Sequence, residues 1–284
     1  MRAVSTIALA LGAALMCSTA SAVPAIFSSI GTTPADIQTS VDSFRSALGT
    51  LNANVVGSFG SGRREINWDG VPDGFSTPNA LPANFFNVNS PRGVVFSTPG
   101  TGFAVSADSS NPTSTPVRFG DIYTGGGGGT VNFQTFSAER LFTALGSTIT
   151  DVNFFVPGSN TAARTRGFGV VFTDTDDGAN SNSGIEFFDA NDLSLGSFLA
   201  PSNNTNQNLA FIGVDFGTAV VRRVRITSGR CVLPSADCGA DDVVVMDDFI
   251  YGEPVAAADA VPVPATALLF GAALAGLVIA RRRG

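Results

Sequence analysis

Short apolar or alternating runs of residues, separated by clusters of Gly, Pro, Asn and Asp, dominate the chain from about residue 65 onward. Each run has the length of a β-strand, and the separating residues are those that form tight turns. Regular strands with little helical periodicity predict an all-β fold, an antiparallel β-sandwich of the jelly-roll type. The predicted strands begin at Gly93, Gly102, Val131, Ile149, Gly167, Gly184, Leu209, Val220 and Val243.

One amphipathic helix is predicted before the strands. Thr33 followed by Pro34 is typical of a helix start, and Gly49 of a helix end. A further helical turn is predicted at Glu139, in ERLFTALG. The apolar residues that recur at helical spacing in the first helix are Ile37, Val41, Phe44 and Leu48.

Phenylalanine is abundant, with 23 residues, and occurs in three doublets. Adjacent side chains of a strand face opposite sides of the sheet, so each doublet predicts one ring in the core and one on the other face. That second face is then either covered or an exposed aromatic patch, and a covered face is the commoner arrangement. The doublets are Phe85–Phe86, Phe154–Phe155 and Phe187–Phe188.

The N-terminus has the pattern of a secretory signal peptide. Arg2 supplies a charge, residues 3–16 are apolar, and the small residues of 20–22 predict cleavage before Val23 by signal peptidase. This pattern implies export through the Sec machinery. A lipoprotein anchored at Cys17 is the weaker alternative, because methionine is a poor residue before a lipidated cysteine.

The C-terminus carries an uncharged apolar run. The sixteen residues of 265–280 span about 24 Å as a helix, somewhat less than the roughly 30 Å of a bilayer core. Extended back to Val261 the run reaches twenty residues, and the arginines after it can snorkel to the headgroups. We expect a C-terminal transmembrane helix; a buried core helix is the alternative but does not explain the arginine block.

This ending resembles the PEP-CTERM class of sorting signals and its VPLPA-type relatives. The resemblance implies cleavage by an exosortase during export, a transient membrane anchor, and a final place on the outer surface or in the extracellular matrix. Its elements are a short proline motif, an apolar helix and a terminal arginine cluster. The residues that carry it are Val261, Pro262, Val263, Pro264, Arg281, Arg282 and Arg283.

The stretch from Gly167 to Pro254 is also similar to the closing strands of jelly-roll domains in exported proteins with this kind of signal. That likeness implies a lectin-like fold. Together the patterns divide the chain into five segments. They are a signal peptide (1–22), an N-terminal helical segment (23–64), a β-sandwich (65–254), a linker (255–260) and the sorting signal (261–284).

Composition excludes several classes of function. Without Arg2 and the three terminal arginines, 12 basic residues remain against 23 acidic ones, a net charge of −11. Such a chain does not favour nucleic acid but attracts divalent cations. The absence of His and Lys removes imidazole and Schiff-base catalysis. Carboxylate-pair chemistry of the glycosidase type stays open, with Glu186 and Asp189 as candidates.

Two cysteines follow the predicted signal peptide, Cys231 and Cys238, in one polar loop. In an exported protein such a close pair predicts a disulfide. A redox or metal site is the alternative, but it lacks Cys-x-x-Cys spacing and any histidine.

Trp68 is the one tryptophan and therefore the candidate sugar-binding platform. The turn residues after it are compatible with a ring at a loop edge. They are equally compatible with a ring that closes the end of the sandwich.

Calcium is the predicted cofactor, since it takes six to eight oxygen ligands. The loop DTDDGANSNSGIE is rich in such ligands, although a solvated turn is the alternative for it. Adjacent acids on the closing strand should point to opposite faces, so at most one is expected to bind metal. The candidate ligands are Asp174, Asp176, Asp177, Asn180, Asn182, Glu186, Asp247 and Asp248.

These patterns favour a non-enzymatic, exported, exosortase-sorted binding or structural protein, associated with extracellular polysaccharide. The alternative is a secreted, carboxylate-dependent enzyme that acts on glycosides.

Overall fold

The computed structural model describes residues 23–123, 133–236, 238–239 and 241–256. The predicted signal peptide (1–22), the predicted sorting signal (261–284) and residues 257–260 of the predicted linker lie outside the described residues. In those described ranges, no helix has the length and apolar character needed to cross a membrane.

Strands dominate the described chain. They are β1 (Ala25–Gly31), β2 (Arg63–Ile66), β3 (Val94–Ser97), β4 (Gly102–Val105), β5 (Phe142–Leu145), β6 (Ile149–Phe154), β7 (Ala163–Arg164), β8 (Gly167–Thr173), β9 (Gly184–Phe188), β10 (Ser194–Leu199), β11 (Leu209–Asp215), β12 (Arg223–Thr227), β13 (Val245–Gly252) and β14 (Val255–Ala256). The α-helices are α1 (Pro34–Leu48) and the single turn α2 (Phe85–Val88).

The strands form two main antiparallel sheets. The larger sheet has the order β1-β11-β8-β13-β5-β4, with β2 also paired to β13. The smaller sheet has the order β10-β9-β12-β6-β3, and β14 pairs separately with β7. The prediction of an antiparallel, predominantly β fold is confirmed.

The main core lies between the two sheets and is unusually aromatic. The ring of Trp68 stacks on Phe142 at 4.2 Å between centroids and meets Phe249 edge-on at 5.0 Å. Phe96 of the smaller sheet packs against Phe142 at 5.1 Å. Aromatic pairs in these geometries add to the stabilisation from burial, so this cluster joins the two layers.

The helix α1 covers the outer face of the larger sheet. Thr33 and Asp36 form a capping box at its start, in which the Asp36 carboxylate accepts the Thr33 amide hydrogen at 2.9 Å. Phe44 rests on two glycines of neighbouring strands, Gly169 and Gly213, where a Cβ would lie 2.8 and 2.9 Å from its ring. The paired glycines of β8 and β11 therefore form the seat for the helix.

The N-terminal segment is more than the helix predicted for 23–64. Its first residues form β1, which pairs along its whole length with β11 at the edge of the larger sheet. Its last residues begin β2, which pairs with β13. The boundary predicted at residue 65 is therefore wrong, because both strands belong to the sandwich.

Three other local predictions are wrong. ERLFTALG contains β5 instead of a helical turn, and Phe142 of this strand is buried in the core between the sheets. No strand is formed by the described part of the run predicted from Val131, residues 133–136. Residues 255–256 of the predicted linker form β14.

The phenylalanine doublets behave in two ways. Phe85 and Phe86 are both buried because they lie on α2 and not on a strand. The other doublets follow the predicted alternation, with Phe154 and Phe187 in the core. The outward rings are covered by arginines: Arg222 lies over Phe155 and Arg223 over Phe188.

Candidate functional site

A β-bulge in β13 brings Asp247 and Asp248 to one point. The register against β8 shifts between Met246 and Phe249, so one extra residue is inserted there. The Ser137 hydroxyl lies 3.0 Å from Asp247 Oδ1 and 2.8 Å from Asp248 Oδ1. The expectation that the two acids face opposite sides is therefore wrong, because it assumed a regular strand.

Both carboxyls of this pair are almost inaccessible to solvent, with exposed fractions of 0% for Asp247 and 2% for Asp248. Burial, then the neighbouring Asp248 charge, raises the pKa of Asp247 well above its ordinary value. Burial also raises the pKa of Asp248 to about 6. Of the two acids, Asp247 is therefore the one that binds a proton more tightly, and it shares that proton with Asp248 in a hydrogen bond.

Each carboxyl of the pair has further partners from its own chain. The amide of Phe136 donates to Asp247 Oδ2 at 2.7 Å. Arg45 on α1 lies 3.4 Å from Asp248 Oδ2 and 2.9 Å from Glu65 Oε2. We call the set of Asp247, Asp248, Ser137, Arg45 and Glu65 the bulge cluster; its charges are compensated within the protein.

A cleft of about 410 Å³ opens beside the bulge cluster, between α1 and the segment before β2. Its walls are polar, with four amide side chains, two arginines and two carboxylates. Buried Arg64 fixes the rim, because it donates to the carbonyls of Ala53 and Gly57 at 2.8 and 3.1 Å. The lining residues are Gln38, Arg45, Leu51, Asn52, Asn54, Glu65, Asn67, Arg92, Phe136, Ser137 and Asp248.

Trp68 is part of the core and not a ligand platform. Its exposed fraction is 1%, and its indole N–H donates to the backbone carbonyl of Asp247 at 2.8 Å. The prediction of a sugar-binding ring at a loop edge is therefore wrong; the ring closes the end of the sandwich. The same indole hydrogen bond helps to hold the bulge in place.

A second acidic site forms at one end of the larger sheet. The strands β11, β8 and β13 are antiparallel neighbours, so the chain leaving β8 meets the chain entering β11 and β13. Their loops enclose a pocket of about 280 Å³. We call its five carboxylates the loop cluster: Asp174, Asp176, Asp177, Asp241 and Asp242.

Arg230 is the cation that pairs with the loop cluster. It forms ion pairs with Asp177 and, at 3.3 Å, with Asp241. Asp174 Oδ1 accepts the amide hydrogen of Gln207 at 2.7 Å, yet burial raises the pKa of Asp174 to about 6. Burial, followed by the charges of Asp176 and Asp174, raises the pKa of Asp242 to about 8.

Three predicted metal ligands lie outside the loop-cluster pocket. Asn180 is part of a single 3-10 turn, and Asn182 is exposed. Glu186 lies on β9, where it accepts a hydrogen bond from Ser194 at 2.8 Å. Of the ligands predicted in the DTDDGANSNSGIE loop, Asp174, Asp176 and Asp177 line this pocket, and Asp241 and Asp242 of another loop complete the cluster.

Asp189, which the sequence pairs with Glu186 as a candidate catalytic acid, has a structural role in the turn after β9. Asp189 Oδ1 accepts the amide hydrogens of Asn191 and Leu193 at 2.7 and 2.9 Å, and these bonds lower its pKa. It therefore shapes the turn between β9 and β10. An acid with a lowered pKa is poorly suited to donate a proton in catalysis.

Cys231 and Cys238 lie at disulfide distance, with Cα atoms 5.7 Å apart, as the sequence predicts. Both pack against a small apolar cluster that includes Leu233 and Val243. The bridge therefore anchors the loop that leads to Asp241 and Asp242.

Across the residues that the structure describes, no three His, Cys, Asp or Glu side chains already form a geometry that would hold a metal ion. Comparison with known proteins adds no relative: no family model, curated protein or solved structure matches the chain.

Proposed function

We propose that the protein is an exported, exosortase-sorted β-sandwich of the jelly-roll type that binds polysaccharide without catalysis. Its final place is the outer surface or the extracellular matrix. Signal peptidase and the Sec machinery act on residues 1–22, and an exosortase acts on residues 261–284 while that segment anchors the precursor in the membrane. The polar cleft beside the bulge cluster is the binding site.

The cleft supports a glycan ligand by its chemistry. Asn54 and Asn67 are exposed at its wall, and each amide offers both a donor and an acceptor. Sugar hydroxyls are donors and acceptors as well, so amide and ionic side chains in one cleft can satisfy several of them. This juxtaposition of amides with Arg92 and Glu65 is the observation that carries the proposal.

The rim of the cleft is preorganised, which favours binding. Arg64 forms a buried ion pair with Glu253, with its Nε 2.7 Å from Glu253 Oε2. The same guanidinium holds the carbonyls of the 53–57 segment. A rim that is already ordered loses little conformational entropy when a ligand binds.

The test is retention of the exported protein on a panel of polysaccharides, followed by calorimetry with fragments of the best one. We expect retention without release of sugar. Asn54→Ala combined with Asn67→Ala should weaken binding by about tenfold, since two hydrogen-bonding groups are lost. Asn191→Ala, an exposed amide in the β9–β10 turn, is the control. Equal binding by all variants, or no retention at all, would contradict the proposal.

A secreted glycoside-active enzyme is the second candidate, and one observation favours it. Asp248, with a pKa raised to about 6, lines the cleft together with Glu65. A carboxylic acid with a raised pKa beside a second carboxylate is the pattern of glycosidase catalysis. Release of reducing ends from the panel, abolished by Asp248→Asn, would establish the enzyme and exclude the non-catalytic role.

The sorting route has a separate test. Intact-mass measurement of the extracellular form should show a chain that begins near Val23 and ends near Pro264. Replacing Arg281, Arg282 and Arg283 by glutamine should leave the precursor unprocessed. Extracellular protein that still carries Arg281 to Gly284 would refute the cleavage.

A further inference from the structure

The loop cluster gathers more negative charge than its surroundings compensate. Five carboxylates line one pocket of about 280 Å³. The guanidinium of Arg230 pairs with Asp177 and Asp241. Asp174, Asp176 and Asp242 have no ion pair within the described residues. The pocket is therefore electrostatically incomplete as the protein stands.

Asp242 shows this incompleteness at a single atom. Its exposed fraction is 9%, so the side chain is about nine-tenths buried. Its Oδ2 is buried and receives no hydrogen bond from an amide, hydroxyl or guanidinium of the described residues; the side-chain partner of Asp242 is another acid, Asp176. A buried carboxylate oxygen without a donor is costly, and such atoms in native proteins commonly mark a missing ion or water. Asp242 lines the pocket, so the missing partner belongs there.

The scaffold around the pocket is otherwise well ordered. Asn208 receives the amide hydrogen of Thr175 at 2.9 Å and donates to the Thr175 carbonyl at 3.0 Å. These bonds tie the loop after β8 to the loop before β11. The disulfide loop adjoins the third segment, which carries Asp242. The acids are therefore held near one another by the fold and not by chance contact of free loops.

We propose that this pocket binds one calcium ion, with Asp242 from the loop before β13 and Asp176 from the loop after β8 as the carboxylate ligands. The donor set consists of hard oxygens, which suit calcium and not a soft metal. The carboxylate ligands come from two separate loops, so the site tolerates the variable distances that calcium accepts and magnesium does not. Water and the Asn206 amide, which also lines the pocket, complete the coordination.

This inference is independent of the glycan proposal. The loop-cluster pocket shares no lining residue with the polar cleft. It also differs from the site predicted from one loop, because Asp242 replaces Asn180, Asn182 and Glu186. Calcium would fasten the loop after β8 to the loop before β13.

The test is calorimetric titration of the exported, disulfide-bonded protein with calcium chloride after removal of ions by chelator. We expect one saturable site, with a dissociation constant of about 10⁻⁴ to 10⁻³ M, the range of extracellular calcium modules. Asp242→Asn should weaken binding at least about tenfold, since it removes a charged ligand. Asp189→Asn, an acid in a turn outside the pocket, should leave the constant unchanged.

A second variant, Asp176→Asn, distinguishes the loss of a calcium ligand from a failure to fold. Asp176→Asn should weaken calcium binding in the same way while the melting temperature in chelator stays at or above that of the unaltered protein. Magnesium at the same concentrations should give at most one tenth of the affinity. Absence of a saturable site in the unaltered protein, or unchanged binding by both pocket variants, would overturn the proposal.

Discussion

The bulge cluster and the loop cluster both concentrate aspartates, but only the first provides a partner of opposite or neutral charge for each of them. Around Asp247 and Asp248 the chain supplies a hydroxyl, a backbone amide and the guanidinium of Arg45. Around Asp242 it supplies further carboxylates, of which Asp176 is its side-chain partner, and no amide, hydroxyl or guanidinium of the described residues donates to Oδ2. A buried acid is stable where partners surround it and dependent on a ligand where they do not.

The difference follows from where each cluster lies. The bulge cluster sits within a strand and under α1, so partners from distant parts of the chain pack onto it. The loop cluster sits where three strands begin or end, and loops bring their own polar residues. The bulge cluster thus forms an ordered wall of the cleft, whereas the loop cluster leaves carboxylates that a cation can bind.

Removing Arg45 should have the largest effect on stability. Arg45→Met leaves Asp248 without a cation and Glu65 with Arg63 alone, and loss of one partner of a buried pair costs about 3 kcal/mol. Arg225→Met is the matched control, because Arg225 is 43% exposed and its pairing with Asp151 is worth less than about 1 kcal/mol. Urea denaturation measures the free energy of unfolding of both variants. Equal losses would show that the ion pairs of Arg45 contribute no more to stability than an exposed ion pair does.

Opening the disulfide should affect the two clusters unequally. Cys231→Ser releases a loop whose closure stabilises the protein by about 2.5 kcal/mol in the chain-entropy model. Hydrogen exchange should rise around Asp241 and Asp242 and stay unchanged around Asp247. Faster exchange at both clusters would argue that the bridge holds the whole sandwich and not its loop end.

Neutralising Asp242 should stabilise the protein when calcium is absent. Asp242→Asn removes a charge that has no donor, for a gain of about 1–2 kcal/mol in chelator at pH 8.5. Asp247→Asn should change stability less, since burial and the neighbouring Asp248 favour the protonated form of Asp247 and an amide can occupy the same hydrogen bonds. Denaturant midpoints of the two variants provide the comparison. A loss of stability in Asp242→Asn would reverse the assignment of the uncompensated site.

The pH dependence should have a defined sign. Burial raises the folded-state pKa of Asp174 and Asp248 to about 6 and of Asp242 to about 8. The folded protein therefore binds protons more tightly than the unfolded chain, and this stability is lost as pH rises from about 4 through 8. In chelator the melting temperature should fall over that range. In Asp242→Asn the melting temperature should fall less steeply above pH 6. An unchanged slope would show that the titration of Asp242 does not cause the decline.

Sequence patterns predict the parts of this molecule that depend on local periodicity. The helix α1, eight of the nine strand starts within three residues and the cysteine pair follow from spacing and turn residues. The bulge does not, because one inserted residue changes which face a side chain takes without changing composition. That is why Asp247 and Asp248 were expected to diverge.

The loop cluster shows the same limit at longer range. The acidic character of residues 174–177 is visible in the sequence, and so is the Asp241–Asp242 pair before the last long strand. Their meeting depends on β13 pairing with β8, which no local pattern gives. Ser137 lay in a segment without a recognisable signal, and its role follows only from the packing.

The most direct test of the comparison is carbon NMR of protein labelled at the aspartate carboxyl carbons, titrated from pH 4 to 9 with chelator and then with calcium. In chelator, we predict that Asp242 loses its proton near pH 8 and that Asp247 titrates well above the ordinary range of an aspartate. Calcium should displace the Asp242 proton at lower pH and leave the Asp247 signal unchanged. If calcium shifts both signals alike, or neither, the distinction between the two clusters is wrong.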